Sequence, residues 1–144
     1  MDILIAEDNV GGISNLTQRI REWGHSAENA DTCKDALDKV KQKRFDLILL
    51  DIFLPDGEGH RLIPQLKELW PKVRIITMTG YNTREMEREV REQGILYYMI
   101  KPFDPMVLKE LLDHISRKYS DKADNEIDFK ARKEVILTRG QTMK

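Results

Sequence analysis

Short apolar runs alternate along the chain with longer stretches of helical period. Ile3-Leu4-Ile5-Ala6 is followed by Ile13, Leu16, Ile20 and Trp23 at spacings of three and four, which predicts a buried strand and then an amphipathic helix. The alternation repeats. Phe45 to Leu50 precedes Leu62, Ile63, Leu66 and Leu69; Val73 to Met78 precedes Met86 and Val90; Ile95 to Ile100 precedes Val107, Leu108, Leu111, Leu112 and Ile115. A weaker strand over about His25 to Asn29 and a helix through Ala36, Leu37 and Val40 complete five strand–helix units.

The boundaries carry their own signals. Gly24 and Gly94 suit helix C-termini, where a left-handed residue is needed, and Pro71 stops the helix that carries Leu66 and Leu69. Asp104-Pro105 sets a capping carboxylate before a proline at the first helical position, and Asn82 with Glu85 reads as a capping box. Regular strand–helix alternation predicts a parallel sheet covered on both faces, because right-handed crossovers lay helices over the strands. The third and fourth strand runs are apolar almost throughout, which places them at the buried centre.

The pattern fades after about Lys118, where Ser120 to Asn125 forms a polar stretch without apolar period. The expected domain is therefore 1–118, with 119–144 a charged tail in which Ile127, Phe129 and Val135-Ile136-Leu137 are enough for a short docking helix or strand but not for a second core. A chain of 144 residues fits one such domain. Lys and Arg (24) nearly balance Asp and Glu (25), so the overall field favours neither nucleic acid nor an anionic membrane. The single cysteine, Cys33, excludes an internal disulfide and a Cys-rich metal site. No apolar run is long enough to span a bilayer, and the first twenty or so residues do not resemble a signal peptide, so the expected compartment is the cytoplasm.

Ligands of open parallel α/β sheets bind beyond the carboxyl ends of the strands. At those ends this sequence places Glu7-Asp8, Asp51, Thr79 and Lys101. Each alone has an ordinary explanation: a helix cap, a turn former, a strand-end hydroxyl, a solvated charge. Their joint placement on four strands does not. Crowded carboxylates raise one another's pKa unless a cation neutralises them. Oxygen-only ligands without His or Cys suit Mg²⁺ or Mn²⁺, so the set reads as a metal-assisted site with Asp51 as nucleophile and with Lys101 and Thr79 taking phosphoryl oxygens.

Glu7-Asp8, the segment Asp51 to Gly59, Met78-Thr79-Gly80 and Lys101-Pro102-Phe103 together resemble the receiver domain of two-component response regulators over about residues 1–118. The resemblance implies a doubly wound five-stranded parallel sheet in flavodoxin-like order 2-1-3-4-5. It implies Asp51 as phosphoacceptor, Glu7, Asp8, Asp51 and the Phe53 carbonyl as ligands of Mg²⁺, Thr79 as switch hydroxyl, Lys101 as phosphate contact and a cis Lys101-Pro102 bond. Tyr98, three residues before Lys101, matches an aromatic rotamer switch. The implied partners are a sensor histidine kinase or phosphotransfer protein, a downstream protein and a second copy of the chain. The implied role is that of a signalling phosphoacceptor rather than an enzyme.

Some features depart from the common pattern or compete with it. Gly11-Gly12 sits where the first helix begins and weakens it by up to about 1 kcal/mol per glycine. Phe53 and Tyr81 flank the expected site and would shield it. A flavodoxin-like electron carrier would need hydroxyls and amides after the first strand, where Glu7-Asp8 would repel a flavin phosphate. An aspartate-nucleophile phosphatase needs a second acid where Phe53 stands. A receiver-like module that works without phosphorylation, or the receiver portion of a longer regulator such as a transcription factor, shares all of these residues.

Overall fold

The computed structural model describes residues 1–8 and 13–124. Gly11-Gly12 and the segment beyond Asp124, with the tail's expected docking element, lie outside the described residues. Chain order gives β1 (Asp2–Ala6), α1 (Ile13–Glu22), β2 (Ser26–Ala30), α2 (Cys33–Gln42) and β3 (Leu47–Asp51). A short hairpin, β4 (Phe53–Leu54) and β5 (Gly57–Glu58), then leads through a single 3-10 turn (Gly59–Leu62) to α3 (Ile63–Leu69). The remainder is β6 (Arg74–Thr79), α4 (Arg84–Glu92), β7 (Tyr97–Ile100) and α5 (Pro105–Asp124).

The main sheet is parallel and ordered β2-β1-β3-β6-β7, which is 2-1-3-4-5 once the hairpin is set aside. Alternation along the strands explains why both faces need covering. Ile3, Ile5, Leu47, Leu49, Ile76 and Met78 enter one core with Ile20 of α1 and Leu108, Leu112 and Ile115 of α5. Leu4, Ala6, Ile48, Leu50 and Ile75 enter the other with Ala36 and Val40 of α2, Ile63 and Leu66 of α3 and Val90 of α4. Successive strand residues point to opposite faces, so a strand clad on both sides must be apolar at every position. Each fully buried Leu or Ile contributes about 1.5–3 kcal/mol, so the two layers dominate the stability of the fold.

Caps set the ends of the helices. Gly24 and Gly94 have φ of +96° and +81°, as their place after α1 and α4 predicts. Asp104 Oδ1 accepts the Met106 N–H at 2.9 Å ahead of Pro105. The expected cap at Asn82 is corrected: Thr83 is the N-cap of α4 and accepts the Met86 N–H at 3.1 Å. Helix α5 continues through Lys118 to Asp124, with neither proline nor glycine between those two residues to stop it.

Candidate phosphoacceptor site

Strand register brings the polar residues to one edge. Ala6 is paired with Leu50, Asp51 with Met78, and Thr79 with Ile100. Glu7 therefore emerges level with Asp51, while Thr79 emerges one residue further on and Lys101 two. Backbone bonds extend the ladder: Glu7 donates to the Ala30 carbonyl (3.0 Å), Ile52 to that of Met78 (2.9 Å) and Lys101 to that of Thr79 (2.8 Å). The Lys101-Pro102 bond is cis, as the resemblance implied.

At the centre, the Lys101 ammonium donates to Glu7 Oε1 and to Asp51 Oδ2, the latter at 2.9 Å. Glu7 is only 3% exposed, and Asp51 is buried beside it. Burial acts to lower the Lys101 pKa, but the hydrogen bonds and charges of Glu7 and Asp51 outweigh it, and the net shift is upward. The other Asp51 oxygen, Oδ1, accepts the Phe53 N–H at 3.2 Å. Asp51 is thus oriented from two sides, by a cation and by a backbone amide.

Thr79 and Tyr98 occupy different surroundings. The buried Thr79 hydroxyl accepts the Tyr81 N–H (3.0 Å) and donates to the Tyr81 carbonyl (3.2 Å). Tyr98 is 5% exposed, donates its hydroxyl to Asn82 Oδ1 at 2.8 Å, and carries the Arg91 guanidinium 5.5 Å from its ring centroid. The Tyr98 ring, which the resemblance matches to a rotamer switch, is buried in this structure. Phe53 and Tyr81, 44% and 74% exposed, meet edge to face with ring centroids 6.1 Å apart.

Among the described residues no three His, Cys, Asp or Glu side chains converge as a metal-binding group. Asp8 is exposed, and a single ammonium links Glu7 to Asp51. Crowded acids must be neutralised, and here lysine does it. The donors still fit a hard divalent ion: they are all oxygen, two are buried carboxylates already sharing one cation, and Mg²⁺ takes few protein ligands and fills its octahedron with water.

Sequence reasoning missed three contributors. Asn82 was assigned to a cap and instead holds Tyr98. Asp56, inside Pro55-Asp56-Gly57, signals only a turn but reaches α2. Lys67 donates to the carbonyls of Gln93 and Gly94, both at 2.7 Å, and so caps the C-terminal end of α4; no local signal marks it.

An open doubly wound sheet with an aspartate, a second acid and a lysine at its carboxyl edge defines an α/β signalling domain of the CheY-like type. The sequence matches the response regulator receiver domain over residues 3–113, and the chain belongs to that family. Phosphoacceptor signalling and Mg²⁺ binding at the phosphorylation site are general to the family. The transcriptional regulatory protein ZraR of Salmonella typhimurium is 34% identical over 113 residues, covering 78% of this chain but 26% of the relative. This chain thus spans about a quarter of the length of that regulator. Sporulation initiation phosphotransferase F of Bacillus subtilis is 32% identical over 115 residues, 80% of this chain and 90% of the relative. A CheY-like receiver domain protein from Methanospirillum hungatei superposes with a TM-score of 0.76 at 29% identity, covering 83% of this chain and 97% of that one.

Proposed function

We propose that Asp51 accepts a phosphoryl group from a histidine kinase or phosphotransfer protein, and that the modified domain signals through protein contacts in the cytoplasm. The observation that carries this reading is the pairing of the Asp51 carboxylate with Lys101 beside the buried Glu7. A carboxylate oxygen of Asp51 forms a bond to phosphorus while the P–N bond of a phosphohistidine, or the P–O bond of acetyl phosphate, breaks and the leaving group takes the electron pair. The Lys101 ammonium, held in place by Glu7, faces the charge on the phosphoryl oxygens. Phe53 N–H fixes the orientation of the nucleophile. Glu7, Asp8, Asp51 and the Phe53 carbonyl would hold Mg²⁺, which supplies Lewis-acid charge neutralisation.

The output surface is α4, β7 and α5, from Arg84 to Lys118. Helix α4 has one fully buried anchor, Val90, with Met86 partly buried, and Ile100, Met106 and Val107 are exposed nearby in sequence on β7 and α5. That surface would serve a downstream protein or a second copy of the chain. The match to a quarter of ZraR and to most of phosphotransferase F supports two settings, a receiver within a longer regulator and a relay protein.

The test is incubation with Mg²⁺ and acetyl phosphate, read by intact-mass spectrometry. Wild type should gain one acid-labile phosphoryl group, and Asp51→Asn none. Absence of an acyl phosphate in wild type, with phosphohistidine donors also inactive, would favour a binding module that works without phosphorylation.

A further inference from the structure

Asp56 stands at the tip of the β4–β5 hairpin, and its carboxylate reaches the start of α2. Oδ1 accepts the Cys33 N–H at 2.7 Å and Oδ2 the Lys34 N–H at 3.0 Å. These amides open the helix and have no intrahelical acceptor. Thr32, the N-cap, serves Asp35 instead. A carboxylate more than twenty residues further along the chain therefore completes the cap.

The hairpin is also the segment that leaves Asp51. Its first residue, Phe53, donates to Asp51 Oδ1. Just past its far end, Gly59 closes on the same stretch: the Gly59 N–H donates to the Ile52 carbonyl, and a Cβ at Gly59 would lie 2.0 Å from the Asp51 carbonyl oxygen. Both ends of the hairpin are thus fixed at the acceptor, and its tip is fixed on α2.

We infer that Asp56 is a positioning residue for the phosphoacceptor site: by clamping the hairpin tip to α2, it holds the Phe53 backbone where its N–H orients Asp51 and its carbonyl is available to a divalent cation. The inference rests on the reading of Asp51 as a Mg²⁺-dependent phosphoacceptor. If the released hairpin keeps Phe53 in place for only about a tenth to a third of the time, apparent Mg²⁺ affinity falls by the same fraction.

The chain's single cysteine reports the contact. Burial, with the charge and hydrogen bond of Asp56 added to it, pushes the Cys33 thiol up to about 11, so loss of Asp56 should release a more reactive thiolate. The experiment compares the full chain as wild type, Asp56→Ala and Asp56→Asn, measuring Mg²⁺ dissociation constant by calorimetry, Cys33 labelling rate by a disulfide reagent at pH 8, and thermal midpoint. Asp56→Ala should raise the Mg²⁺ dissociation constant about three- to tenfold and speed labelling, with Asp56→Asn, which keeps one acceptor oxygen, in between.

Faster labelling with unchanged Mg²⁺ affinity, in Asp56→Ala or in Asp56→Asn should the alanine variant not fold, would reduce Asp56 to a helix cap and overturn the inference. Unchanged labelling in both variants would show that the carboxylate does not rest on α2, with the same consequence. Failure of the wild type to bind Mg²⁺ or to form an acyl phosphate would instead bring down the functional reading, and this inference with it.

Discussion

Deleting the Lys101 charge while keeping its apolar stem, as in Lys101→Met, leaves Glu7 and Asp51 as neighbouring anions at a buried edge. Two facts set the scale. The lysine side chain is 23% exposed and binds both carboxylates, and removing one partner of a buried ion pair costs about 3–5 kcal/mol because the other charge is left uncompensated. Water entering beside the exposed part of the site offsets some of this, so the expected loss is about 3 kcal/mol, or roughly 10 °C in midpoint for a domain of this size. The raised pKa of Lys101 fixes the pH range. The contribution is present from neutrality up to the ordinary lysine value of about 10.4 and fades only as pH rises through the higher folded-state value. Thermal melts at pH 7 in a chelating, low-salt buffer make the measurement. Adding Glu7→Gln to the variant removes one of the two anions and should recover at least half of the loss, and Mg²⁺ should raise the variant's midpoint more than that of wild type. A Lys101→Met midpoint within about 2 °C of wild type, or no recovery in the double variant, would refute the claim that the ammonium neutralises this edge.

Gly59→Ala drives a Cβ to 2.0 Å from the Asp51 carbonyl, so the variant should lose about 2 kcal/mol or more and form acyl phosphate more slowly; an unaltered urea midpoint would contradict the close approach. Phe53→Ala and Tyr81→Ala each open one side of the aromatic pair over the site and should change the dephosphorylation rate, measured as decay of the acyl phosphate by mass; identical lifetimes in both variants would dispose of the shielding role. Because the Cys33 thiol is pushed up to about 11, its alkylation rate should keep rising with pH toward that value. A plateau by about pH 10 would show an unperturbed thiol.

The fold was legible because a doubly clad strand leaves a continuous apolar run, and the helices between the runs have a clear period. Strand ends were less so. Asp51 and Thr79 belong to β3 and β6 by backbone pairing, yet their polar side chains break the apolar signal just where the strand delivers its chemistry. The hairpin of two-residue strands has no period to read. Helix α5 continues beyond Lys118 to Asp124, where the sequence has no apolar period, so the fading pattern says nothing of where the helix ends. In the site, strand ends named the residues but not their arrangement. The resemblance implied Glu7, Asp8 and Asp51 as metal ligands; strand ends could not show that Lys101 bridges Glu7 and Asp51 or that Asp8 is the exposed member of the three.

On the proposed function, five consecutive residues tie the acceptor edge to α4. Thr79 bonds twice to the Tyr81 backbone, Asn82 holds the Tyr98 hydroxyl, and Thr83 caps the helix. Recruitment of the Thr79 hydroxyl by a phosphoryl oxygen gives up two ordinary hydrogen bonds of about 1 kcal/mol each for a charge-assisted one of about 1.5–3 kcal/mol. The exchange is nearly balanced, so a shift of 1.4 kcal/mol, a factor of about ten in population, is enough to change the outcome. Tyr98 is already buried, so the variable is whether Asn82 still accepts its hydroxyl and Thr83 still caps α4. The opposite end of α4 is held by Lys67 on the carbonyls of Gln93 and Gly94, outside the loop. On that reading, a helix held at its C-terminus and released at its N-terminus would pivot, so substitutions in its first turn, at Arg84, Glu85 and Glu87, should alter phosphorylation-dependent partner binding or self-association more than substitutions near Gln93, as measured by pull-down and sedimentation; equal effects at both ends would refute the pivot.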